Sequence, residues 1–367
     1  MRIFRNIITD FEIDYPLDRI APLESILFLD IETTGFTARS SMLYLIGTAY
    51  YKNHTWYIEQ FFAEKKEDEP ELLHSFFKLA KEFTHIIHFN GNNFDLPYLM
   101  QKVASYKMSY ILDNHLGIDI YRRIAPYKSI LRLPNCKQKT LELYLGIERI
   151  DPYHGGELIS VYHDYLNNPE EKAMTLLLQH NFDDMKGMLS ILPIMAVYDL
   201  FNDTHRPQKV QSNCYTDLNG NKNLELYIKF KCTSPLPKPI SHSAHSCFFS
   251  GDKTEGVLRV PIFEEEMKYF YSNYKNYYYL PQEDVALHKS IATFVDKEHR
   301  IAATASTCYT RKYSLYLPQW DTLFEPFFKR EYNAKDCFFE LTDEMKTNRE
   351  FFTLYIQHVL FMLSTNF

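Results

Sequence analysis

The sequence predicts an α/β fold in which a mixed five-stranded sheet is flanked by helices, followed by a β-containing C-terminal (α+β) domain. Short apolar runs alternate with segments of helical apolar spacing as far as residue 201. Beyond residue 222 the pattern changes to alternating apolar and polar residues. A chain of 367 residues with 46% hydrophobic content can form two cores, because single cores rarely exceed about 250–300 residues.

The first region is expected to alternate strands and helices. Apolar runs predict strands near residues 26–30, 43–50, 54–62, 84–89 and 117–120. Helical spacing predicts helices near residues 69–82, 94–106, 139–145 and 157–201. The polar stretch 202–222, which contains Pro207, predicts a linker. We therefore expect domains at residues 1–206 and 207–367.

The second region resembles no family that we recognise, and its function stays open. Residues 224–230 and 256–263 read as strands, and residues 343–363 have helical spacing. Seven aromatic residues with two lysines among them occupy residues 268–279. Such a cluster either stacks against the bases of a single-stranded nucleic acid or packs in a protein core, and we favour packing in a core.

The most informative motif, at residues 26–35, reads Ile-Leu-Phe-Leu-Asp-Ile-Glu-Thr-Thr-Gly. Asp30 and Glu32 are two positions apart, so on a strand they share one face. Carboxylates held this close repel each other, and hard oxygen ligands of this kind suit Mg²⁺ or Mn²⁺. The alternative is a strand end at which both acids face solvent.

Two later motifs each add an acid. Residues 86–99 begin as a short apolar strand, which ends at Asn90, and continue as a helix near Asp95. Asp95 is either a functional acid or an ordinary helix-capping residue. His180 and Asp184 are four apart in a helical segment and share one face. Their alternative is a solvated pair of little energetic consequence.

In order and spacing, these acids and the His180/Asp184 pair resemble the DEDD superfamily of 3′–5′ exonucleases, and most closely its YprB-like, ribonuclease H-like group. A fourth motif, Arg-Leu-Pro-Asn-Cys-Lys-Gln-Lys-Thr-Leu-Glu at residues 132–142, supports the same group. The resemblance covers residues 24–202. It implies a ribonuclease H-like fold and a metal-dependent 3′–5′ exonuclease that hydrolyses phosphodiester bonds of DNA or RNA.

The resemblance also implies a two-metal mechanism, in which one ion activates water and the other stabilises the leaving 3′ oxygen. The two Mg²⁺ or Mn²⁺ ions would be held by Asp30, Glu32, Asp95 and Asp184. His180 would accept the proton of the attacking water.

The last motif departs from the superfamily in one respect. His180 stands four residues before Asp184, the spacing usual for a catalytic Tyr, whereas a catalytic His usually stands five before the acid. Residue 185 is Met and cannot bind Mg²⁺. We therefore expect Asp184, rather than its neighbour Asp183, to be the ligand.

The net charge of −7 is unevenly distributed. Residues 101–140 contain eight basic residues and two aspartates, a charge of +6, so the rest of the chain carries −13. This segment follows the Asp95 motif, and we expect it to contact phosphates; the alternative is a solvated helical surface. The candidate nucleic-acid-binding residues are Thr33, Asn90, Arg122, Arg123, Lys137 and Lys139.

Composition further predicts a cytoplasmic enzyme. The N-terminus has no long apolar run, so we expect neither a signal peptide nor a membrane partner. Six scattered cysteines without a Cys-x-x-Cys pair predict reduced thiols. The expected partner is a DNA or RNA 3′ end, and protein partners are unknown. The alternative function is a non-catalytic nucleic-acid-binding or scaffold protein that retains the exonuclease fold.

Overall fold

The computed structural model describes residues 1–9, 11–148, 155–217 and 219–365. It divides into two compact units, one formed by Met1–Asp199 with Ser234–Lys238 and the other by Leu200–Thr233 with Pro239–Phe367. The division falls a few residues before the expected boundary at residue 206. Independent folding of residues 1–206 and 207–367 stays a prediction. Among the described residues, no helix combines the length and apolar character needed to cross a membrane.

The first unit is built on a six-stranded mixed sheet with helices packed against it. Its strands are β1 (Arg2–Ile8), β2 (Ile26–Thr33), β3 (Leu43–Lys52), β4 (Thr55–Phe62), β5 (His85–His88) and β6 (Leu116–Asp119). Its helices are α1 (Glu69–Ala80), α2 (Asp95–Ser105), α3 (Ile120–Ile124), α4 (Gln138–Leu145), α5 (Gly155–Asn167), α6 (Glu171–Ser190) and α7 (Met195–Asn202). The strand order is β1-β4-β3-β2-β5-β6. The α/β fold class and all five expected strands are confirmed.

Strand β1 is the sixth strand, which the sequence analysis did not predict. It pairs antiparallel with β4 at the edge of the sheet. Five of its seven residues are exposed, among them Ile3 at 49% and Ile7 at 57%. Arg5 donates to both carboxylate oxygens of Glu59 at 3.0 Å. An edge strand of this kind is held by its partner strand rather than by an apolar run of its own, so its sequence gave little signal.

The expected helix at residues 157–201 is wrong as one element, because the structure has three helices there. Helix α5 ends at Asn167, two residues before Pro169. A proline disfavours helical backbone at the residue that precedes it. The break after α6 lies at a short 3₁₀ turn, Leu192–Ile194, that contains Pro193. These breaks leave α6 as a separate helix of 20 residues.

The second unit is rich in β structure. Its strands are β7 (Pro207–Thr216), β8 (Lys222–Ala244), β9 (Cys247–Phe270), β10 (Tyr277–Leu280), β11 (Val285–His288), β12 (Ile301–Ala302), β13 (Tyr309–Gln319), β14 (Phe327–Phe328) and β15 (Cys337–Glu340). Its helices are α8 (Lys289–Ala292), α9 (Asp343–Thr347) and α10 (Arg349–Ser364). One sheet has the order β14-β15-β13-β9-β8-β7, and a smaller one has the order β11-β10-β12. The expected β-containing C-terminal region and its terminal helical segment are present.

The expected linker at residues 202–222 is wrong for about half of its length. Residues 207–216 form β7, which pairs antiparallel with β8 along its whole length. The strand is polar and largely exposed because it lies at the edge of its sheet. Its hydrogen bonds to β8, rather than any apolar pattern of its own, make it a strand.

The aromatic residues between Tyr269 and Tyr279 pack against one another and against small side chains. Tyr271 stacks on Tyr277, with ring centroids 4.7 Å apart. Four of the tyrosines also contact a buried cluster of Ala286, Ala303 and Cys308. This placement agrees with the packing interpretation that we favoured.

Candidate metal centre

Strand β2 brings the first two acids to the centre of the sheet. Residues Ile26 to Leu29 are fully buried, so the strand is packed on both faces until Asp30. Asp30 and Glu32 then share one face, as their spacing predicted. The Glu32 side chain is 13% exposed. Strand β5 runs parallel to β2, and β6 runs parallel to β5, so the segments that follow these strands lie at the same edge of the sheet.

Helix α6 adds an imidazole and a further acid. His180 is 4% exposed, and its Nε2 lies 3.1 Å from Oδ2 of Asp184 and 3.7 Å from Oε1 of Glu32. Ligand atoms of Glu32, His180 and Asp184 all lie within 4.8 Å of one another. Asp183, in contrast, accepts a hydrogen bond from Gln179 at 2.9 Å on the same helix. The pair at residues 180 and 184 is therefore not a solvated surface pair.

Asp95 reaches the same place from the loop after β5. It is the first residue of α2 and is 6% exposed. The backbone N–H of Ile31, between the two acids of β2, donates to Asp95 Oδ1 at 3.2 Å. Burial raises the pKa of Asp95 to about 7, with the charge of Asp119 adding to the shift. A hydrogen bond from the backbone of β2, rather than a helix-capping hydrogen bond, thus holds this carboxylate in place.

The electrostatics of Asp30 link all four acids. Burial raises the pKa of Asp30 well above its ordinary value, and the charges of Glu32, Asp95 and Asp184 raise it further. A hydrogen bond from Asn181 acts in the opposite direction. A divalent cation would offset this repulsion, and carboxylate oxygens are the ligands that Mg²⁺ and Mn²⁺ prefer. The donor set therefore fits a metal site.

Asp119 holds the loop that carries Asp95, a role that the sequence analysis did not foresee. Its carboxylate accepts from the backbone N–H groups of Asn90 at 2.9 Å, Asn92 at 3.3 Å and Arg122 at 3.2 Å. Asn90 has a positive φ of 62°, a conformation that asparagine tolerates better than most residues. The sequence signal was available in part, because Asp119 ends a strand that runs parallel to β5.

The candidate nucleic-acid-binding residues occupy different surroundings. Thr33 donates to the carbonyl of Gly35 at 2.9 Å, and the Asn90 side chain accepts from Asn93 at 2.7 Å. Arg122 is exposed and donates to the Asn93 side chain at 3.0 Å, beside the Asp95 loop. Arg123 is half-buried, with its guanidinium 4.8 Å from the ring centre of Tyr198.

Helix α4 contacts the last acid through Gln138, which lies between the other two candidates in sequence. Gln138 donates from Nε2 to the backbone carbonyl of Asp184 at 2.8 Å. Lys137 and Lys139 flank this glutamine; Lys137 is exposed and Lys139 is half-buried. Lys102, in the same basic segment, is instead buried against Glu69 at 2.7 Å. Lys102 therefore does not contribute to a phosphate-binding surface.

Comparison with known proteins adds a family match and distant structural similarities. Residues 27–196 match the family model described as RNase_H superfamily. The chain is similar to the family B DNA polymerase from the hyperthermophilic archaeon Pyrobaculum calidifontis, with 12% identity and a TM-score of 0.37, over 72% of this chain and 39% of that chain. It is also similar to E. coli exonuclease I in complex with a dT13 oligonucleotide, with 10% identity and a TM-score of 0.29, over 56% of this chain and 55% of that chain.

A product-bound structure of exonuclease I is similar at 11% identity and a TM-score of 0.30, over 57% of this chain and 59% of that chain. This chain therefore spans between 39% and 59% of the length of these structures. No curated protein sequence matches it. Residues 27–196, which carry the acidic cluster, thus match the RNase_H superfamily model and have a ribonuclease H-like fold.

Proposed function

We propose that this chain is a divalent-metal-dependent nuclease that hydrolyses phosphodiester bonds of DNA or RNA from a 3′ end. The observation that carries the proposal is the convergence of four carboxylates and one imidazole on a single place. Asp30, Glu32, Asp95 and Asp184 come from a strand, a loop and a distant helix, yet the last three all act on the pKa of the first. A divalent cation bound at this place would offset the repulsion between the carboxylates.

The four acids would hold two Mg²⁺ or Mn²⁺ ions. Bound ions of this kind stabilise negative charge at a phosphate and make water a better nucleophile. Oxygen donors from few protein groups suit Mg²⁺, which keeps several of its waters. The resemblance of the ordered motifs to DEDD exonucleases supports two ions and a 3′ end as the substrate.

His180 is proposed to take the proton of the attacking water at its Nε2 atom. Imidazole accepts protons near neutral pH, which suits a general base. The same Nε2 lies near the carboxylates of Asp184 and Glu32.

The experiment that tests the function uses single-stranded DNA and RNA labelled at either end, with Mn²⁺ or with EDTA. We expect cleavage only with Mn²⁺. A 5′-labelled strand should give a ladder of shortened products, and a 3′-labelled strand should release mononucleotide from the first time point. Binding without cleavage would instead favour the non-catalytic alternative, and internal cuts would identify an endonuclease.

A further prediction concerns the basic residues beside the acids. Replacing Arg122, Lys137 and Lys139 with Gln should weaken single-strand binding, because fewer counterions are released from the phosphates. If each residue contacts one phosphate, the slope of log K against log salt should fall by about 2. The measurement is a fluorescence-anisotropy titration at several salt concentrations.

The matched control replaces with Gln three exposed lysines elsewhere in the first unit: Lys65, Lys78 and Lys81. It changes the net charge equally and should leave the slope close to that of the unchanged chain. Equal slopes for the two triple variants would show that these residues do not form a phosphate-binding surface.

A further inference from the structure

Asn181 lies directly against Asp30 and takes no part in the proposed chemistry. It is fully buried on the inner face of α6, one residue after His180. Its Nδ2 donates to Oδ2 of Asp30 at 2.9 Å. Its Oδ1 accepts from Nε2 of Gln60 at 2.9 Å. Both ends of the amide are thus hydrogen-bonded, and the direction of each bond is fixed.

Three adjacent strands form the slot that holds this amide. Asp30, Gly47 and Gln60 are neighbours in register across β2, β3 and β4. A Cβ atom at Gly47 would lie 2.2 Å from Oδ1 of Asn181, so only glycine leaves room for the amide at this level of the sheet. Gln60 also donates to the carbonyl of Leu178 at 2.8 Å, which holds α6 from the adjacent turn.

An amide suits this position for a physical reason. The Oδ2 atom of Asp30 accepts from this amide, and carboxylates, which are the other functional groups at the site apart from His180, offer only acceptors when ionised. An amide donates a hydrogen bond without adding charge to the site, whereas a carboxylate at residue 181 would add a fifth negative group. The fixed Gln60 donor orients Asn181 so that its NH₂ group, and not its oxygen, faces Asp30.

We infer that Asn181, held by Gly47 and Gln60, is a positioning residue that fixes the Asp30 carboxylate for metal binding. The inference rests on the proposed function for its catalytic consequence, but its effect on metal affinity is independent of nuclease activity. Groups that orient metal ligands typically contribute 10–100-fold to metal affinity or activity. Asn181 is expected to act within this range through Asp30, without contacting the nucleic acid.

The test measures Mn²⁺ affinity by titration calorimetry and kcat and KM for single-strand cleavage. Asn181→Leu has a similar volume but cannot donate to Asp30. We expect its Mn²⁺ affinity to fall by about 10–100-fold and kcat to fall similarly, with KM for the strand unchanged. If Asn181 served folding alone, the variant would have a lower melting temperature, but the folded protein would not show a lower kcat with an unchanged KM.

Gly47→Ala provides a second variant in which Asn181 itself is unchanged. Its added methyl group should displace the amide and reproduce the loss of Mn²⁺ affinity. Gly156→Ala is the matched control, since a Cβ atom there meets no atom within 4 Å. Gln60→Met removes the donor that orients Asn181. If the other two variants fail to fold, its Mn²⁺ affinity is compared with that of the wild-type protein instead, and we expect it to be lower.

The outcomes separate the inference from the proposed function. If folded Asn181→Leu and Gly47→Ala bind Mn²⁺ normally, the inference is overturned, and an active wild-type protein still supports the nuclease. If the wild-type protein binds Mn²⁺ but is inactive, and the variants bind Mn²⁺ more weakly, the nuclease proposal is overturned and the inference is supported. A wild-type protein that binds no Mn²⁺ would overturn both the nuclease proposal and the positioning role of Asn181.

Discussion

Asp30→Asn is expected to reduce nuclease activity to background and to weaken Mn²⁺ binding strongly. The substitution keeps the shape of the side chain and its acceptor for Asn181 but removes the charge at the centre of the four acids. Activity is measured on end-labelled single strands, and affinity by Mn²⁺ titration. Full activity in Asp30→Asn would contradict the proposed metal mechanism.

The same variant should be more stable than the unchanged chain when no metal is present. Burial and three neighbouring acids raise the pKa of Asp30 in the folded state, so ionisation of this group opposes folding. For an acid with a raised pKa, that cost grows as the pH rises. The variant's melting temperature should therefore exceed that of the unchanged chain at pH 8 in EDTA, and the two should converge at acid pH.

Asp183→Asn is the matched control for the acid-to-amide change. Asp183 is adjacent to Asp184 in sequence, but it accepts from Gln179 along its own helix. We expect its activity and Mn²⁺ affinity to stay close to those of the unchanged chain. Loss of both in Asp183→Asn, with neither lost in Asp184→Asn, would exchange the roles of the two acids.

His180→Ala is expected to lower turnover by roughly 10²–10⁴-fold, the usual contribution of a general base. Mn²⁺ binding should persist, because all four carboxylates remain and lose only their contact with the imidazole. Single-turnover cleavage at saturating Mn²⁺ measures the effect. The rate of the variant should also rise with pH, since hydroxide then replaces the missing base.

An exposed histidine on the preceding helix supplies the control for this substitution. His163→Ala, on α5, should leave turnover unchanged. A His180→Ala rate within a few-fold of the unchanged chain would show that another group takes the proton. The acidic cluster would then be sufficient without the imidazole.

Strands β2 to β6, helices α1, α2 and α4, and the acidic motifs of the first unit were predictable because their signals are local. The apolar run that ends at Asp30 marks β2, and period two places Glu32 on the same face. The four-residue spacing of His180 and Asp184 put them on one side of a helix. Expectations failed where no local pattern exists, as in β1 and β7, which are strands only because a neighbouring strand pairs with them.

The sequence alone determined which residue types were present for metal chemistry and which of them shared a face. Tertiary structure alone decided that these faces meet, because α6 packs on strands more than a hundred residues away in sequence. It also removed Lys102 from the basic surface, stacked Arg123 on Tyr198, and seated Asn181 in the slot above Gly47. Such contacts depend on the packing of whole elements, which side-chain periodicity within one segment does not encode.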